Sequence, residues 1–88
     1  MIVFEYDSEK NKINSEKHGI DIELAQAIWN DPNALEIPAI STQEPRLLVV
    51  GKIESKHWSA IITYRDEVVR IISVLRSQEN EVKLYENI

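Results

Sequence analysis

The chain has no cysteine, so a disulfide framework and a thiolate metal site are both excluded, which fits a reducing compartment. Gly19 and Gly51 are the only glycines, too few for a glycine-rich loop that cradles phosphates. The two histidines, His18 and His57, are isolated and do not make a metal-ligand set. No cofactor and no metal are expected. No apolar run approaches the ~18 residues of a membrane span. Met1 to Asp7 does not pair a basic segment with an apolar one, as a secretory signal would, so a cytoplasmic protein is expected. Positive charge is also scarce. Ten Lys and Arg against 15 Asp and Glu leave a net charge of −5, the wrong sign for phosphate contact, which rests on Lys and Arg.

Eighty-eight residues suffice for one domain, expected over residues 1–88, with a usable core and a thin stability margin. The charge is unevenly spread. From Arg46 to Arg76 there are six bases and three acids, a net +3, and local charge decides where an anion can sit. The same bases also suit the solvated faces of strands.

Ile2 to Tyr6 alternates apolar and polar residues and reads as a strand. Asp7 or Ser8 can cap a helix running to about His18, and Gly19 suits the left-handed residue that closes it. Asp21 caps a second helix, whose Leu24, Ala25, Ile28 and Trp29 recur at helical spacing and are expected on its core face. Asn30-Asp31-Pro32-Asn33 stops that helix. Ala34 to Ala39, Arg46 to Ile53, His57 to Tyr64 and Val68 to Leu75 read as strands. Glu54-Ser55-Lys56 and Asp66-Glu67 are short enough to make antiparallel hairpins. Gln78 to Glu86 reads as a terminal helix. The order β-α-α-β-β-β-β-α sets helices apart from a strand run, the pattern of an α+β fold with an antiparallel sheet.

Two features can carry chemistry. In the first helix, Lys10, Asn14, Lys17 and His18 fall within an arc of roughly 100°. Two cations, an amide and an imidazole on one face can hold a phosphate and move a proton, although a plain solvated face has the same spacing. The second feature is the set of strand arginines. Arg46 begins a strand, Arg65 ends one and Arg76 follows one. A guanidinium binds phosphate oxygens through parallel hydrogen bonds. Each arginine can equally be surface charge or half of an ion pair; three at strand margins can converge on one sheet edge. Arg70 lies inside a strand, where alternation groups it with Ile72 and Val74. Glu44, two residues before Arg46, can orient that arginine or act as a base, or be half of an exposed ion pair. Trp58 shares a strand face with Ala60, Ile62 and Tyr64, which favours packing over base stacking, and His57, beside a hairpin turn, is expected to be exposed.

These residues, in order, resemble the BrnT toxin family. The match runs from Phe4-Glu5-Tyr6-Asp7, where the family usually has tryptophan at the Tyr6 position, through Lys10, Asn14 and Lys17-His18-Gly19. It continues with Glu23, Ala25 and Asp31-Pro32, then Glu44-x-Arg46 with Gly51 at the expected distance. Thr63-Tyr64-Arg65, Arg70-Ile71-Ile72-Ser73, Arg76 and Glu81 complete it. One departure stands out: where the family carries two adjacent arginines, this chain has Leu75 and Arg76.

The resemblance implies a RelE-like fold and a metal-independent endoribonuclease that inhibits translation and growth. In such enzymes the 2′-hydroxyl of the RNA attacks the neighbouring phosphate. On that footing Arg46, Arg65 and Arg76 take the phosphate, Lys17 is a second phosphate ligand or the acid, Glu44 is the base or the group orienting Arg46, and His18 is a proton carrier. The implied partner is a BrnA-like ribbon-helix-helix antitoxin covering the active face, with operator DNA bound only through that antitoxin. If the arginine replaced by Leu75 is needed for cleavage, the chain becomes a binding protein that titrates the antitoxin.

Overall fold

The computed structural model describes residues 2–39 and 45–87. Its elements are β1 (Val3–Glu5), α1 (Ser8–His18), α2 (Ile22–Ala25) continuing as a 3-10 helix over Gln26–Asn30, β2 (Leu35–Ala39), β3 (Arg46–Ile53), β4 (Lys56–Arg65), β5 (Val68–Arg76) and α3 (Glu79–Glu86). The architecture is α+β, with the helix and strand order expected. The caps are those read from the sequence. The Asp7 carboxylate accepts from the Glu9 and Lys10 amides, that of Asp21 accepts from the Glu23 amide, and Gly19 closes α1 at φ 73°, a conformation that costs a residue with a Cβ.

The sheet order is β1-β5-β4-β3-β2. Two-residue loops join β3 to β4 and β4 to β5, so these strands and β2 are antiparallel neighbours. The short β1 adds to the free edge of β5 in parallel, with Phe4 opposite Val69, making the five-stranded sheet mixed. One face carries the core. Val49, Ala60, Ile62, Val69, Ile71 and Val74 pack there against Ile20, Ile22, Ala25 and Ile28. Burying one such aliphatic side chain contributes about 1.5–3 kcal/mol. Phe4 meets Trp29 edge-on, with ring centroids 5.0 Å apart.

Two expectations about orientation do not hold. Leu24 is 59% exposed, because the helix tightens after Ala25 and the three-residue turn aligns Ala25 with Ile28 while leaving Leu24 outside. This tightened segment approaches β3 closely: a Cβ on Gly51 would lie 2.6 Å from Ile28 Cγ2. Arg70 does not share a face with Val74. Ile61 pairs with Ser73 and Ile62 with Ile71, leaving Ile72 as a bulge, and one extra residue inverts the alternation beyond it. Val74 therefore joins the core beside Ala60, while Arg70 stands beside Thr63 on the other face.

Among the described residues, one helix lies over that second face. α3 lies over its β3–β4 hairpin end, where Tyr85 is buried and its ring meets His57 edge-on at 5.2 Å. Ser59 donates to Glu81 at 2.8 Å, and His57 contacts Glu86 at 2.7 Å. His57 is thus half-buried under α3 rather than exposed.

Candidate functional site

The end of the second face away from α3 holds three guanidinium groups. The register sets Thr63 opposite Arg70, and Arg70 opposite Glu5. One further step of the β3–β4 register places Arg46 on the other side of Thr63. Cross-strand neighbours point to the same face, so Arg46, Thr63, Arg70 and Glu5 form one row. Arg65 follows Thr63 by two residues on β4, shares its face and is exposed. Thr63 is buried, and its hydroxyl donates to the Pro45 carbonyl at 2.9 Å, tying the start of β3 to β4 and so fixing the root of Arg46. Arg70 Nη1 donates to Glu5 Oε1 at 2.8 Å, the one acceptor it has among the described residues, out of five guanidinium donors. Arg46 Nε is buried and finds no acceptor among the described residues.

The first-helix face forms a second locus. Lys10, Asn14, Lys17 and His18 all line one cavity of about 250 Å³, together with Ile13 and, from β5, Ile72 and Ser73. Asn14 is its rigid wall. Its amide donates to the Ile20 carbonyl at 2.9 Å, and its oxygen accepts from Ser73 Oγ at 3.1 Å and from the Val74 amide at 2.9 Å. Ser73 pairs with Ile61, so it lies on the face that carries Arg70.

Of the six sequence-predicted site residues, Arg46 and Arg65 come together at one end of the sheet, and Lys17 and His18 come together in the cavity. Arg76 joins neither group. It pairs with Trp58 across the strands, and its guanidinium carbon lies 5.5 Å from the Trp58 ring centroid. That puts it on the helix-covered face, seven residues along β4 from Arg65, or about 23 Å at ~3.3 Å per residue. Trp58 itself is packed, as its strand pattern indicated. Glu44 lies outside the described residues. The sequence names none of Arg70, Thr63 and Ser73 as a site residue: alternation groups Arg70 with Ile72 and Val74, and the other two enter only through the family resemblance. The β5 bulge hid the first and third from alternation, and threonine on a strand carries no signal of its own.

A family model for the ribonuclease toxin BrnT of type II toxin–antitoxin systems matches residues 6–81. The chain belongs to the BrnT family. No curated protein matches it. The family is one of ribonuclease toxins, and a type II system implies a protein antitoxin as partner. In this BrnT-family chain the matched region takes in both the arginine row and the first-helix cavity, apart from Glu5 in the row. Among the described residues no helix is long and apolar enough to cross a membrane.

Leu75 pairs with Ser59 on the second face and is half-buried, whereas Arg76 points to the opposite face.

Proposed function

We propose that this chain is a RelE-like, metal-independent endoribonuclease of the cytoplasm, which inhibits translation and growth and is silenced by a BrnA-like ribbon-helix-helix antitoxin. Operator DNA is then contacted by the antitoxin alone. The observation that carries the reading is the grouping of Arg46, Arg65 and Arg70 at one end of one sheet face of an acidic protein. A focused positive patch attracts a polyanion that the molecule as a whole repels.

In this reading the RNA 2′-hydroxyl loses its proton to a base and its oxygen bonds to the adjacent phosphorus. The bond from phosphorus to the 5′-oxygen breaks, and that oxygen takes up a proton, leaving a cyclic phosphate and a free 5′-hydroxyl. Arg46 and Arg65 hold the phosphate and stabilise its extra charge, with Arg70 joining them in place of Arg76. Glu44 is the base or the group that orients Arg46. Of the roles read for Lys17, that of a phosphate ligand is kept over that of the acid, and His18 is its neighbour rather than the proton carrier, because both line the separate first-helix cavity. Stabilising developing charge is commonly the largest catalytic contribution. Accordingly, Arg65→Ala is expected to lower the rate of RNA cleavage by the purified chain by about 10²–10³-fold with its circular dichroism unchanged. Equal cleavage by a well-folded variant would overturn the assignment.

Leu75 favours a second reading, a family member that binds its antitoxin and cuts RNA weakly or not at all. Expression of the chain alone separates the two. Growth arrest abolished by Arg65→Ala supports the nuclease, whereas harmless expression with intact antitoxin binding supports the binding protein.

A further inference from the structure

We infer that the cavity between α1 and β5 is a second nucleotide subsite, which takes a phosphate of the RNA strand next to the one held by the arginine row. This rests on the nuclease reading above and adds a substrate requirement: a strand of several nucleotides rather than a single linkage.

Four observations carry it. The polar atoms of Asn14 are all engaged in the wall, so the groups left to meet a ligand are the cations Lys10 and Lys17 and the imidazole of His18. No described carboxylate comes within ion-pair distance of either lysine, whereas Arg70, His57 and Lys83 each have one. Lys10 also sits in the first turn of α1, where the helix dipole favours acids over bases. Helix stability therefore does not account for it. Lys17 and His18, in the last turn, suit that dipole and would point to no ligand by themselves. Finally, Ile13 is 59% exposed yet lines the cavity opposite Ile72, offering an apolar surface to a sugar or base beside the cations.

Position ties this locus to the arginines. Ser73 and Arg70 face the same side of β5, three residues apart, or about 10 Å. One phosphate group does not span that gap, so the two loci take different phosphates of one strand.

The test uses the full chain and mixed-sequence oligonucleotides whose 2′-hydroxyls are methylated, so that they bind without being cut. A hexanucleotide is expected to bind about tenfold tighter than a dinucleotide, the order of one charged hydrogen-bonded contact. In the Lys10→Ala/Lys17→Ala variant, the hexanucleotide is expected to bind no better than the native chain binds the dinucleotide. Its plot of log affinity against log salt should flatten by about 0.7 for each phosphate no longer neutralised. Lys10→Ala alone should give part of both changes. A native chain that cuts RNA but binds both lengths equally, or a double variant that keeps the full length effect, overturns this subsite and leaves the nuclease reading intact. A chain that shows the length effect and cuts nothing overturns the nuclease reading instead. Unchanged oligonucleotide binding with abolished antitoxin binding in the double variant would assign the cavity to the protein partner and overturn the subsite.

Discussion

Asn14 shows how much one buried side chain can organise. α1 has almost no apolar stripe, and Ile13 points outward, so burial contributes little to its docking. Asn14, 5% exposed, replaces that burial with three hydrogen bonds: to the Ile20 carbonyl, the Ser73 hydroxyl and the Val74 amide. The last is a strand-edge donor that β1 is too short to reach, since its pairing ends at Arg70. Truncation strands several buried polar groups at once, and each such loss costs about 1–3 kcal/mol. Asn14→Ala is therefore expected to lower the unfolding free energy by about 3 kcal/mol in urea denaturation. A loss below about 1 kcal/mol would mean that water fully replaces the amide.

Among the elements, α3 is also held by polar contacts. It buries Tyr85, whose hydroxyl donates to Asp31 Oδ2 at 2.6 Å. The same carboxylate oxygen accepts the Lys52 amide at 2.9 Å, sealing the edge of β3 beyond the end of β2. Burial would raise the Asp31 pKa, but the Tyr85 hydroxyl, the Asn33 and Lys52 amides and the Lys52 charge together bring it below 3.8. Tyr85 is raised from 10.0 to about 12, chiefly by its hydrogen bond to Asp31. A lowered carboxyl contributes stability above its unfolded pKa that is lost as pH falls through the folded value. A raised phenol contributes stability below 10.0 that is lost as pH climbs towards about 12. The docking of α3 is thus strongest between these limits. Tyr85→Phe is expected to cost about 2 kcal/mol at neutral pH and to flatten both the acid and the alkaline limb of thermal stability against pH. A variant with unchanged limbs would show that this bond does not set them.

For the molecule as a whole, charge placement matters more than charge total. Arg46, Arg65 and Arg70 occupy one end of the second face, and Lys56 lies at the opposite end of β4, opposite Ile53. If the arginine patch binds RNA, Arg70→Ala should weaken binding of the 2′-methylated hexanucleotide about tenfold and lower its salt slope by about 0.7. Lys56→Ala removes the same unit of charge and should change neither. Equal effects of the two substitutions would reduce the patch to a general contribution of charge.

Local order was legible in the amino-acid pattern. Helical spacing gathered Lys10, Asn14, Lys17 and His18 on one face of α1, the capping residues marked both N-terminal helices, and short loops implied the hairpins. Each of these depends on neighbours within a few positions. Which side and which end of the sheet a residue occupies does not. The bulge at Ile72 separates Arg70 from Val74, and the tightening after Ala25 turns Leu24 outward; both are set by packing against distant segments. Arg76 follows the same logic. In an antiparallel run the end of β4 and the end of β5 lie at opposite limits of the sheet, so Arg65 and Arg76 diverge while Arg46, at the start of β3, returns to Arg65. Residue spacing thus chose the elements and their cationic content, and strand register, which sums contacts along the whole chain, chose which cations meet.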